Sequence, residues 1–89
     1  MKKYRVGYDL DKPGQDYHPL IKRLRSLGAQ RALESDWVLR STASAVEIRD
    51  DLMRFIDSND RLLVTALTGE AAWSNLLIGG GEVKEALAA

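Results

Sequence analysis

The first ten residues alternate between apolar and polar positions. Tyr4, Val6 and Tyr8 occupy every second position, and polar or small residues lie between them. This period of two predicts a half-buried strand that ends near Asp9. A Pro-Gly pair at positions 13 and 14 then predicts a loop, because both residue types favour turns.

A helix is predicted after this loop. Asp16 can cap its first turn, where Pro19 is also tolerated. Gly28 stands where a helix-ending glycine is expected. Between these points apolar residues recur at helical spacing: Tyr17, Leu20, Ile21, Leu24 and Leu27.

Three further elements complete the pattern. Strand formers predict a hairpin with strands near 29–33 and 36–41, which turns at Glu34 and Ser35. Ser44 and Glu47 fit a capping box and therefore predict the start of a second helix. The segment RLLVTALT at 61–68 predicts a final buried strand. The order of elements is therefore βαββαβ.

This order is that of the ferredoxin-like fold, an α+β architecture. We expect residues 1–69 to form a four-stranded antiparallel sheet with both helices on one face. We expect residues 70–89 to form a short C-terminal extension, which begins with a short helix or covers the sheet.

Two helices cover only one face of such a sheet, yet the predicted strands are apolar on both faces. Trp37 and Leu39 alternate with Val38, and the last strand has leucines on both sides. A solvent-exposed face this apolar would promote association or aggregation. Two candidates could cover this face. One is a second copy of the chain on a two-fold axis, and the other is the segment EAAWSNLL at 70–77 with its Trp73.

The strand alternation also places Asp9. If Tyr4, Val6 and Tyr8 face the helices, Asp9 faces the other side, where Gly7 permits close approach of another backbone. In a two-fold dimer Asp9 would lie beside its own copy. Two neighbouring carboxylates repel unless a proton or a divalent cation lies between them. Such oxygen ligands suit Mg²⁺ or Mn²⁺, ions that commonly serve phosphoryl chemistry.

Composition limits the remaining chemistry. The 89 residues include no cysteine, which excludes disulfides, thiolate metal sites and cysteine nucleophiles. The sequence has neither a membrane-spanning apolar run nor a secretory signal, so we expect a cytoplasmic protein. The net charge is zero, but residues 1–31 carry +5 and residues 32–89 carry −5. Such a gradient is typical of a basic, phosphate-facing surface or of a chain that is simply well solvated.

Several motifs resemble the CRISPR-associated Cas-two family over about residues 3–68. They are the βαββαβ order, the Tyr-Asp pair that closes the first strand, the basic first helix, the hairpin with Ser35, and DRLLV at 60–64. Two segments, GYDLDKPGQDY and TGEAAW, are more specific. They are similar to segments of short stand-alone members of that family that are described as SinR-like.

The resemblance implies a symmetric homodimer in which Asp9 corresponds to the proposed metal-binding residue. It implies a nucleic-acid-associated protein that contacts RNA or DNA backbone through basic side chains, here Lys22, Arg23, Arg25 and Arg31. If the protein is an enzyme, the resemblance implies an endonuclease that depends on Mg²⁺ or Mn²⁺, with Asp9 as its catalytic residue at the dimer interface. The tail departs from the family, whose members often end in a further strand that pairs with the partner subunit.

Other interpretations of the same residues stay open. Asp9 can cap the loop or pair with Arg5 or Lys12, and Asp11 is expected to serve the turn. A single acidic residue per subunit is a weak basis for phosphodiester hydrolysis, because the sequence supplies no clear general base or second metal ligand. The alternative function is a non-catalytic dimeric module that binds nucleic acid or protein. A toxin-like ribonuclease is a variant of the catalytic interpretation.

Overall fold

A computed structural model describes residues 1–11 and 17–78 of the chain, which form six elements. They are β1 (Lys2–Asp9), α1 (His18–Ser26), β2 (Gln30–Leu33), β3 (Asp36–Ser41), α2 (Ala45–Met53) and β4 (Arg61–Ala66). The strands form one antiparallel sheet in the order β2-β3-β1-β4. This is the predicted α+β arrangement of the ferredoxin-like type. Neither described helix is long and apolar enough to cross a membrane.

The core lies between the sheet and the two helices. Tyr4 pairs with Leu39 and Val6 pairs with Trp37 across β1 and β3, so these four side chains share one face. All four are buried, which confirms the alternation predicted for the first strand. Apolar residues from both helices cover them: Leu20 and Leu24 from α1, and Ile48 and Leu52 from α2.

Local signals set the helix ends. The Ser44 hydroxyl accepts a hydrogen bond from the Glu47 backbone N–H at 3.1 Å, and the Glu47 carboxylate accepts one from the Ser44 N–H at 3.0 Å. The predicted capping box is therefore confirmed. Gly28 follows α1 with a φ of +81°, a left-handed conformation that favours glycine. Pro19 lies in the first turn of α1, whereas Asp16 and the Pro-Gly loop lie outside the described residues.

The last strand, β4, is an edge strand, and the prediction that it is buried is wrong. Among the described strands it pairs with β1 alone. Leu62 and Val64 pack against the core on the helix side, but both stay partly exposed. Leu63 points to the opposite face and is 56% exposed. A run of apolar residues predicts that both faces of a strand are buried. It does not show whether the strand lies at the centre or at the edge of the sheet.

The sheet face opposite α1 and α2, which we call the outer face, is partly covered by residues 67–78, the cover segment. Three of its side chains pack on Ala32 of β2 and Val38 of β3: Leu67, Leu76 and Ile78. The Leu77 N–H donates to the Ala32 carbonyl at 2.9 Å, which ties the segment to the edge of the sheet. Residues 70–78 form no helix, so the short helix predicted there is wrong. The glycine-rich run at 79–81 and the residues after it lie outside the described part of the chain.

Candidate functional site on the outer face

Asp9 ends β1 on the outer face, as the alternation predicts. Its Oδ2 accepts a hydrogen bond from Arg61 Nη1 at 3.0 Å, and Arg61 is its direct partner across β1 and β4. The partner is therefore Arg61 and not Arg5, while Lys12 lies outside the described residues. The side chains of Asp9 and Arg61 are 72% and 78% exposed. An ion pair this exposed contributes little to stability, so it leaves the carboxylate accessible to a cation.

Asp60 contacts the loop that follows Asp9 in the sequence. The Asp11 backbone N–H donates to Asp60 Oδ1 at 2.8 Å, and the Tyr17 hydroxyl donates to the same oxygen at 3.1 Å. Asp60 Oδ2 accepts from the Asp57 N–H at 2.9 Å. Asp60 therefore joins the loop before α1 to the loop before β4. Within residues 1–11 and 17–78, no three acidic or histidine side chains form a group that could hold a metal ion.

Arg23, one of the four predicted nucleic-acid contacts, joins the two helices. Its Nε and Nη2 donate to the two carboxylate oxygens of Asp51 in α2, at 2.9 and 3.0 Å. These hydrogen bonds lower the pKa of Asp51 below its ordinary value, and a further one from Arg54 adds to the effect. The Asp51 carboxylate in turn raises the pKa of Arg23. Arg23 is thus occupied in holding α1 against α2.

Arg25 and Arg31, two more of the predicted contacts, flank the ring of Trp37. Their guanidinium carbons lie 5.3 and 5.4 Å from the ring centroid, within the range of cation–π attraction. Arg31 also donates twice to the Glu34 carbonyl, at 3.0 and 2.7 Å, and so holds the β2–β3 turn. The exposed members of the predicted set are Lys22 and Arg25. The other two, Arg23 and Arg31, are partly buried.

A groove of about 340 Å³ opens on the outer face between the cover segment and the sheet. Trp73 and Leu76 line it from the cover segment, and Val38 lines it from β3. Two charged residues, Arg5 and Asp36, also line it. The groove thus combines apolar walls with a pair of opposite charges, which is typical of a small-ligand site.

Asp36 reaches the groove because Gly7 has no side chain. A Cβ at Gly7 would lie 2.8 Å from Asp36 Oδ1, too close for an unshifted structure. Gly7 thus permits a close contact, but the group that makes it is a side chain of the same chain and not another backbone. Arg5 Nη2 lies 2.5 Å from the same oxygen. The two groups form a close ion pair, in which this oxygen is buried.

Comparison with protein-family models finds no match, and no solved structure matches the chain. The class is therefore defined by topology: an α+β domain of the ferredoxin-like type, with an acid–arginine pair at the end of β1 and a lined groove beside it. The sequence analysis did not identify Asp36 as a residue of the candidate site. The signal that pointed toward it was the glycine in the interior of β1, which marks a close contact without naming its partner.

Proposed function

We propose that this protein is a dimeric nucleic-acid-binding protein of the Cas-two-like type, which contacts its ligand through backbone phosphates. The observation that carries the proposal is the charge of the outer face. Strand register places four basic residues there against two acids, Asp9 and Asp36. The basic residues are Lys3, Arg5, Arg40 and Arg61. Arg61 and Arg5 pair with the two acids, and Arg40 adds a further exposed guanidinium on the same face.

In the proposed dimer, the contact lies on the β1–β4 half of the outer face. The cover segment packs on Ala32 and Val38, at the other half of the sheet. Leu63 is left exposed on β4, opposite Gly7 and beside the Asp9–Arg61 pair. A two-fold axis near Leu63 would bury this leucine and bring the two copies of Asp9 together. A contact there would leave the groove uncovered.

The test of nucleic-acid binding is fluorescence anisotropy with labelled single-stranded and duplex RNA and DNA over a range of salt. We expect binding that weakens steeply with salt, since released counterions drive phosphate contacts. Arg40→Glu should weaken binding to all sequences and lower the salt slope. The matched control is Arg49→Glu, an exposed arginine of α2 that pairs with its neighbour Asp50. Equal binding by wild type and Arg40→Glu, or no binding at low salt, would contradict the proposal.

A second candidate function is a metal-dependent endonuclease at the same dimer interface. It is favoured by the position of Asp9, whose exposed carboxylate pairs with Arg61 on the face that we assign to the dimer. Two copies of Asp9 would supply oxygen ligands for one Mg²⁺ or Mn²⁺. Such an ion would polarise a phosphodiester and activate water. Within a single subunit, the described residues do not assemble this site.

A further inference from the structure

We propose that the side of β4 that faces away from β1, which we call the β4 edge, binds one extended peptide segment of another protein as an added strand. The inference goes beyond nucleic-acid binding and does not depend on it. Three features carry it: backbone groups that point away from the sheet, a strand in unbroken register, and a cavity beside the edge.

The strand register shows which backbone groups of β4 point outward. The Leu67 N–H donates to the carbonyl of Lys3, which stands opposite it, at 2.9 Å. Hydrogen-bonded pairs recur at every second residue of an antiparallel ladder. The odd-numbered residues of β4 therefore bond to β1. The even-numbered residues turn their N–H and C=O groups outward: Leu62, Val64 and Ala66.

The two edges of the sheet differ. At the β2 edge the Ala32 carbonyl accepts the Leu77 N–H at 2.9 Å, so the cover segment closes part of that edge. Among the described strands, only β1 pairs with β4. The β4 sequence also contains no proline or lysine, the residues that commonly protect an edge. A row of outward N–H and C=O groups is completed by the backbone of an extended peptide.

A cavity of about 420 Å³ lies beside the β4 edge on the helix side. Leu62 lines it from β4, Met53 from α2, and Ile56 from the segment between these elements. Met53 is 52% exposed. In an added strand, the side chain opposite Leu62 would lie about 5 Å from it, the usual cross-strand spacing. An apolar side chain at that position would enter the cavity and cover Met53.

The cavity favours a peptide over a second copy of the chain. If β4 paired with its own copy, the two-fold axis would bring a second α2 to the same side of the joined sheet. Arg49 lines the cavity from α2, so the two copies of Arg49 would approach each other, and like charges oppose such a contact. A peptide strand brings no helix. We therefore expect a partner segment with apolar residues at alternate positions, one row of which lies beside Leu62 and Val64.

The experiment presents the full chain to random peptides of about ten residues displayed on phage, a length that contains one strand of ordinary size. We expect enriched peptides with alternating apolar residues. Anisotropy of one such peptide, made with a fluorescent label, gives its affinity. Val64→Pro removes an outward N–H, a change that edge strands tolerate, and should weaken binding by about tenfold, the size of one lost hydrogen bond. Val64→Thr keeps this N–H and should bind like wild type.

Two further variants guard against a folding defect in Val64→Pro, and thermal melts establish which variants are folded. Ala66→Pro removes another outward N–H at the exposed end of β4 and should also weaken the peptide. Met53→Glu should weaken it several-fold, because a charge would replace an apolar wall of the cavity. Val46→Glu is the matched control, since Val46 is 55% exposed on α2 and does not line the cavity.

Hydrogen exchange followed by NMR tests the edge directly. In the free protein, the outward amides of Leu62, Val64 and Ala66 should exchange much faster than those of Leu63 and Thr65, which bond to β1. Bound peptide should slow the three outward amides and leave the other two unchanged.

Each contrary result identifies what is wrong. If the library yields no binder, or the selected peptide binds Val64→Pro as tightly as wild type, the site at the β4 edge is overturned. If wild type is a dimer that Val64→Pro converts to a monomer, a second copy occupies the edge and the peptide site is overturned. If the three outward amides already exchange slowly in a monomer without peptide, the chain covers its own edge and the proposal fails.

Discussion

The carboxylate of Asp36 occupies the space in which a side chain at Gly7 would lie. The two residues are direct partners across β1 and β3, and Asp36 Oδ1 faces the glycine where a Cβ would be. Arg5, two positions earlier on β1, holds the same oxygen. A single glycine in β1 therefore determines whether the charged pair of the groove can form.

Gly7→Ala should destabilise the protein. The new methyl group would displace Asp36 from Arg5, and we expect a loss of about 1–3 kcal/mol in the free energy of unfolding, the usual cost of overpacking. Urea unfolding at neutral pH gives this value. The same change in an Asp36→Ala background should cost much less, because the oxygen that clashes is absent. An equal cost in both backgrounds would contradict the contact.

Tyr8→Phe should cost about 1–3 kcal/mol, the penalty for leaving a buried donor unsatisfied. The Tyr8 hydroxyl accepts a hydrogen bond from Trp37 Nε1 at 3.1 Å, and Trp37 is fully buried. Chemical denaturation measures the loss. Tyr17→Phe is the control, because its hydroxyl donates to Asp60 in a loop at the surface. A smaller loss for Tyr8→Phe than for Tyr17→Phe would show that Trp37 does not depend on this acceptor.

Acid should weaken the contact between α1 and α2. Hydrogen bonds from Arg23 lower the pKa of Asp51, so this contact stabilises the fold above the unfolded-state pKa of about 3.9 and is lost as pH falls through the folded-state value. We expect Asp51→Asn to lower the melting temperature at pH 7. Wild type and variant should then converge as the pH falls below about 4. Asp50→Asn, which removes an exposed pair with Arg49, should change little at any pH.

The fold was predictable because its signals are local. The alternation of Tyr4, Val6 and Tyr8, the capping box at Ser44 and the glycine after α1 each act over a few residues, and each is present in the structure. The candidate site was less predictable because its contacts join distant parts of the chain. No local pattern indicates that Arg23 meets Asp51.

Leu63→Asp should convert the proposed dimer to a monomer. Leu63 is 56% exposed on the half of the outer face that the cover segment leaves open. Light scattering at high micromolar concentration should give a dimer for wild type and a mass near 9.9 kDa for the variant. Val46→Asp is the matched control, because Val46 is 55% exposed on α2. A wild-type monomer at that concentration would remove the dimer and, with it, the shared site at Asp9.

Asp9→Asn should abolish any cleavage that depends on a divalent cation. In the proposed dimer the two Asp9 carboxylates lie together and repel each other without metal, although Arg61 offsets part of that charge. Removing the carboxylates should therefore leave the dimer as stable as wild type or slightly more stable. Asp11→Asn is the matched control, because Asp11 contacts Asp60 through its backbone N–H, and the substitution keeps that group.

The measurement for this last prediction is cleavage of labelled RNA and DNA with Mg²⁺, Mn²⁺ or a chelator, alongside thermal melts of both variants. Wild type and Asp11→Asn should cleave with metal, and Asp9→Asn should not. If Asp9→Asn cleaves as well as wild type, Asp9 is not the metal ligand. If wild type cleaves nothing with either ion, while salt-sensitive binding persists, the catalytic function fails and the binding function stands. Asp9 would then serve only its cross-strand pair with Arg61 at the end of β1.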